Sequence, residues 1–267
     1  MKHARAEEFA MPSSEELGQL SACAEDAQKL VDLSWRLLSK LTYKQSLRTY
    51  TALPLLLSCL DRTWSFYELA GKPKGFQGAA VLYRPVIESF LRGAFLAGPA
   101  CDDEILYFRK NDELKKRTRM RPKPERPEEK VKMGALELVE VVEHWFGPAW
   151  GLKLSETIKS DWNDWHGIVH GGRLVVAMYR GGPDSQGKVG AVPMQQTPPA
   201  KGMINVIVQV ACFACLIPLA AGPLVNDDPD EEILALVAAG RIANDAFFAR
   251  WKSESDVDWN PTETPGS

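Results

Sequence analysis

Two stretches of the 267-residue chain carry chemically capable side chains at helical spacing. In LYRPVIESFLRG, residues 82–93, Arg84, Glu88 and Arg92 stand four residues apart. At 3.6 residues per turn they form one ladder along one side of a helix. Leu82, Tyr83, Val86, Ile87, Phe90, Leu91 and Ala94 fill the opposite arc, so the ladder borders a buried face. A glutamate between two arginines is held ionised, and a guanidinium fixed in this way can grip a phosphate or carboxylate with two parallel hydrogen bonds. Pro85 removes one backbone hydrogen bond and frees the carbonyl of Val81. The same triplet would also serve as a salt bridge tying helices together, and the pattern leaves both readings open.

The second stretch is SDWNDWHGIVHGGR, residues 160–173. Helical projection gathers Glu156, Lys159, Asn163, His166 and His170 on one arc and sets Leu154, Ile158, Trp162, Trp165 and Val169 on the other. Imidazole titrates near neutrality, which makes His166 and His170 candidate general acids or bases, and Asn163 a candidate to orient one of them or the substrate. Asp161 falls near the apolar side, where a carboxylate needs a partner; an arginine of the 84–92 ladder is the one expected. Histidines at i and i+4 have the spacing of helical zinc sites, but Gly167, Ile168 and Val169 lie between them and no third ligand is evident. No metal or other cofactor is therefore expected. His170 would equally cap the last carbonyls of a helix ended by Gly171 and Gly172. No nucleophile elbow, phosphate loop or dinucleotide fingerprint occurs elsewhere.

A third feature is LKKRTRMRPKPER, residues 114–126, with seven Lys or Arg against one acid. Lys115, Lys116, Arg117, Arg119 and Arg121 could clamp a phosphate backbone, although no aromatic side chains are interleaved to stack bases. The alternative is a solvated loop.

The elements that must position these groups read as helices. At 45% apolar, 25% charged and net charge −3, the chain has the composition of a soluble globular protein with no overall pull toward nucleic acid or anionic membrane. That average hides residues 109–132, with eleven Lys or Arg against five Asp or Glu. The five cysteines follow no secretory signal and read as reduced thiols of a cytoplasmic protein; Cys212 and Cys215 form a C-x-x-C that lacks a second pair and reads as packing. Residues 203–225 are long and apolar enough to span a bilayer. Asn205, Gln209 and Pro218 inside the run, and the acidic NDDPDEE after it, favour a buried central helix instead.

Ser13 or Ser14 before Glu15 and Glu16 signals a helix start. Helices are expected over about 13–41, 45–70 with a kink or break at Pro54, 78–97, 102–117, 128–145, 154–170, 202–222 and 229–252. Residues 173–200 change pattern and predict a short β-hairpin or an extended loop. The fold class is thus all-α, a bundle of about eight helices forming one domain over 13–252, with tails at 1–12 and 253–267.

RPVIESFLRGAFL and WNDWHGIVHGGRL occur in that order and are followed by a long apolar helix. This arrangement resembles an uncharacterised bacterial family of helical proteins with an Arg-Pro-x-x-Glu-x-x-x-Arg helix and a later His-Gly-Gly element. The likeness covers about residues 78–222. That family is in turn similar to the HEPN group of helical bundles, many of them dimeric ribonucleases, toxins or antiphage components. The resemblance implies a homodimer that cuts RNA without metal, an arginine and a histidine meeting across the groove between protomers. The chain departs from the HEPN pattern in having no arginine four to six residues before His166 or His170, so Arg84 or Arg92 would have to supply it. Two functions follow as expectations. One is a HEPN-like enzyme acting on RNA or a nucleotide through His170, His166, Arg84, Glu88, Arg92 and Asn163. The other is a non-enzymatic interaction protein, partnered within a toxin or defence operon, whose Arg/Glu/His cluster is a structural network.

Overall fold

A computed structural model describes residues 13–72, 75–115, 132–150, 154–156, 158, 180–183, 189–191, 200–226 and 229–254. The fold is all-α. Its helices are α1 (Ser14–Lys40), α2 (Leu47–Ala70), α3 (Phe76–Ala97), α4 (Asp102–Asn111), α5 (Ala135–Trp150), α6 (Ala200–Ala221) and α7 (Glu231–Trp251). Leu154 to Glu156 and Ile158 are also helical, at the start of the expected sixth helix; the rest of that helix lies outside the described residues. The tails at 1–12 and 255–267 and the basic residues 116–131 lie outside as well. In the stretch expected to be extended, β1 (Arg180–Pro183) pairs antiparallel with β2 (Val189–Ala191).

The start of α1 follows from its sequence: Ser13 Oγ accepts from the Glu16 amide while the Glu16 carboxylate accepts from the Ser13 amide, a reciprocal capping box. Pro54 does not end α2; it sits on the exposed side, where the carbonyl it orphans on Tyr50 can meet water. Three boundaries differ from expectation, one of them the far end of α5, which continues through Gly147 and Pro148 to Trp150 instead of stopping at about 145. Helix α4 stops at Asn111, where Asp112 takes a left-handed φ of 53° and its amide caps onto the Phe108 carbonyl. Helix α5 starts only at Ala135, because Lys115 and Lys132 form an antiparallel bridge and the Met133 amide bonds to the Leu114 carbonyl. The two ends of the basic stretch are thereby held side by side.

Helix α6 is the centre of the bundle. It is apolar enough to span a membrane, yet 83% of its most apolar window is buried against the rest of the protein, chiefly α1, α2 and α3. Pro218 would leave the Ala214 carbonyl without a partner in this core; the buried Ser34 hydroxyl of α1 donates to it at 3.0 Å. Gln209, also buried, accepts a 2.7 Å hydrogen bond from the Tyr83 hydroxyl of α3. Ser34 and Tyr83 thus tie α1 and α3 to α6. The link between α1 and α2 pairs with the segment after α6 through Tyr43 and Val225. Helix α7 is held by Phe247, Phe248 and Trp251 and by an Arg250–Asp26 ion pair of 2.6 Å, while Leu234, Val237 and Ile242 remain exposed along it.

Helices α2 and α3 form an antiparallel pair that carries the candidate site. Their contact is close at Gly93, where a β-carbon would lie 2.7 Å from Leu56 Cδ2 and 3.1 Å from the Leu56 backbone nitrogen. At the far end Arg48 of α2 donates to the carbonyls of Leu96, Gly98 and Ala100, placing a cation on the C-terminal end of α3 where the helix dipole favours it.

Candidate functional site

Helix α3 buries Ala79, Ala80, Tyr83, Val86, Ile87, Phe90, Leu91 and Ala94, the face its apolar spacing requires. That leaves Val81, Arg84, Pro85, Glu88 and Arg92 along the opposite edge. Arg84 Nε donates to Glu88 Oε1 at 2.7 Å; the two side chains keep 20% and 32% of their exposure, so the pair is half covered. Arg92, 29% exposed, approaches Asp112 only at 4.0 Å, and Asp112 is 88% exposed. So loose an exposed pair contributes little, about 0–1 kcal/mol. Water therefore reaches the ladder along its length.

The structure adds Arg62, which sequence reasoning missed. From α2 it donates through Nη1 to the Pro85 carbonyl at 3.2 Å and to Ser89 Oγ, and Ser89 Oγ itself donates to the Pro85 carbonyl at 2.6 Å. Among the described residues Arg62 has no acidic partner. Its only sequence signal is a cation at the end of the apolar run LPLLLSCLDR, and what it faces depends on the α2–α3 register, which no local spacing encodes. Among the described residues three guanidinium groups, those of Arg62, Arg84 and Arg92, share this shoulder with Glu88, and the exposed Asp112 stands 4.0 Å from Arg92. A half-exposed surface with excess fixed cations can receive an anion bidentately.

Beneath the shoulder the interior is inert. The Cys59 thiol donates to the Val86 carbonyl and is pushed by burial up to about 12, so it stays protonated. Cys212 and Cys215 are buried, their thiols raised well above the usual range by desolvation; Cys212 donates to the Val208 carbonyl and Cys215 to Asn244 Oδ1. The C-x-x-C therefore packs rather than presenting a thiolate. Among the described residues no three of His, Cys, Asp and Glu gather to hold a metal.

Of the residues expected at the site, Arg84, Glu88 and Arg92 are brought together on α3. His166, His170 and Asn163 lie outside the described residues, as do Lys116, Arg117, Arg119 and Arg121. Lys115 is exposed at the base of the basic stretch. Compared with protein-family models, curated proteins and solved structures, the chain matches none.

Proposed function

We propose that the chain is a HEPN-like protein that cleaves RNA, or acts on a nucleotide, without a metal ion. In this reading Arg84 and Arg92 bind a phosphate, Glu88 orients Arg84, His166 and His170 exchange protons with the substrate, and Asn163 holds a histidine or the substrate in place. The observation that carries it is the charge of the α2–α3 shoulder among the described residues: three guanidinium groups against Glu88 and the loosely placed Asp112, on a partly exposed face. A purely structural brace needs neither the excess cation nor the exposure. One imidazole would take the proton of a ribose 2′-hydroxyl as that oxygen attacks phosphorus. The bond from phosphorus to the 5′ oxygen breaks, and the other imidazolium protonates the departing oxygen, leaving a 2′,3′-cyclic phosphate and a 5′-hydroxyl. The arginines offset charge on the non-bridging oxygens. Lys115, Lys116, Arg117, Arg119 and Arg121 add sequence-independent attraction to the backbone. The reading includes a homodimer and a cytoplasmic protein, with α6 as a core helix; its burial supports the latter choice.

The test compares His170→Ala and Arg84→Ala with the wild type for cleavage of RNA in chelator and for thermal unfolding. Unchanged melting with cleavage lost by about a hundredfold or more is expected. Lowered melting in both variants, with no cleavage by the wild type, refutes the enzyme. A second reading, a non-enzymatic interaction protein partnered within a toxin or defence operon, draws on the closed 2.7 Å Arg84–Glu88 pair and on Arg48 and Arg62, whose bonds go mainly to main-chain oxygens.

A further inference from the structure

The outer groove between α2 and α3 carries more than the α3 ladder. The antiparallel register is set by three contacts: Arg48 on the carbonyls of Leu96 to Ala100, Leu56 against Gly93, and Arg62 on Pro85 and Ser89. In that register Ser58, one turn before Arg62 on α2, stands level with Arg92, one turn after Ser89 on α3. Ser58 is half-buried on α2, and its hydroxyl has no hydrogen-bond partner among the described residues. Arg62 uses Nη1 on the protein, while its Nε and Nη2 have no protein acceptor among the described residues. Among the described residues Arg92 has only Asp112, at 4.0 Å. Glu88 is engaged by Arg84, while Asp61, beside Arg62 on α2, is exposed.

We infer that Ser58, Arg62 and Arg92 form a phosphate-binding groove between α2 and α3. The inference rests on the reading of the shoulder as an anion site and assigns the receiving groups within it. Arg62 is the fixed arm: Pro85 and Ser89 hold one edge of its guanidinium so that the other edge is oriented before a ligand arrives, which reduces the ordering cost of binding. Arg92 is the adjustable arm and Ser58 the neutral donor. Pro85 contributes through its carbonyl, which accepts from both Arg62 Nη1 and the Ser89 hydroxyl. The phosphate can belong to an RNA strand or to a free nucleotide; the chemistry of the groove is the same for both.

The experiment is a titration of the full chain at several salt concentrations with a short fluorescein-labelled oligoribonucleotide, in parallel with a labelled mononucleotide, for wild type, Arg62→Lys, Ser58→Ala, Arg92→Gln and Arg84→Met. Arg62→Lys keeps the charge and a donor for Pro85, so a loss of affinity of about tenfold would report the planar fork itself. A smaller loss is expected for Ser58→Ala and a flatter salt dependence for Arg92→Gln, by about 0.7 in the logarithmic slope for a single strand. Thermal unfolding of each variant separates binding from folding, and Ser58→Ala, which removes no internal bond, serves if an arginine variant is unstable. Losses confined to the oligoribonucleotide assign the phosphate to a strand; equal losses with both probes assign it to a nucleotide. If Arg84→Met weakens binding while Arg62→Lys, Ser58→Ala and Arg92→Gln leave it unchanged, the groove is wrong and the reading of the ladder stands. If the wild type binds neither probe, both fall.

Discussion

At the scale of single residues, two polar side chains inside this bundle answer particular backbone or side-chain vacancies. Ser34 answers the carbonyl that Pro218 strands, and Tyr83 answers Gln209. Removing one partner leaves a buried group unsatisfied, at about 1–3 kcal/mol, whereas replacing both with apolar groups of similar shape is close to neutral. Tyr83→Phe should therefore lower the urea midpoint clearly, and Tyr83→Phe combined with Gln209→Leu should recover most of the loss; additive losses in the double variant would contradict this. Arg84, Glu88 and Arg92 were legible in the sequence because a repeat of four is a local property of one helix. Arg62 and Ser58 were not, because their meaning lies in which residues of α3 they face.

At the scale of elements, the α2–α3 pair depends on one close approach. A methyl at Gly93 would run into Leu56 side chain and backbone, so Gly93→Ala is expected to cost about 1–3 kcal/mol of overpacking, more than the ~1 kcal/mol it gains in helix propensity. Gly18→Ala in α1 meets nothing within 4 Å and should instead stabilise by about 0.5–1 kcal/mol. Melting curves of the two variants should move in opposite directions; a shift in the same direction would mean that α2 and α3 are not so close. The helical assignment itself was readable from apolar spacing and caps. The errors fell where tertiary pairing overrode local pattern: the bridge of Lys115 with Lys132 delays α5, and the left-handed Asp112 cuts α4 short. Pro54 read as a breaker because a sequence does not show which side of a helix faces water.

At the scale of the whole molecule, burial governs the thiols. Cys23, Cys59, Cys212 and Cys215 are buried and only Cys101 is exposed, so a thiol reagent should label one cysteine in the native protein and five after denaturation. Burial raises Cys59 from 9.0 to about 12, and raises Cys23, Cys212, Cys215 and Tyr67 as well. The folded chain keeps a proton that the unfolded chain releases, so the stabilising contribution is complete below pH 9.0 and is lost as pH climbs toward about 12. Melting temperature should accordingly fall across that interval, less steeply in Cys59→Ala; a flat profile in the wild type would contradict the buried thiols. The proposed function draws on the partly exposed cationic shoulder of α2 and α3. The chemistry of the ends produced from RNA in the presence of chelator tests that account most directly. The account predicts 2′,3′-cyclic phosphate and 5′-hydroxyl ends, with an all-deoxy strand left intact. No cleavage, or ends bearing a 5′-phosphate, would contradict it.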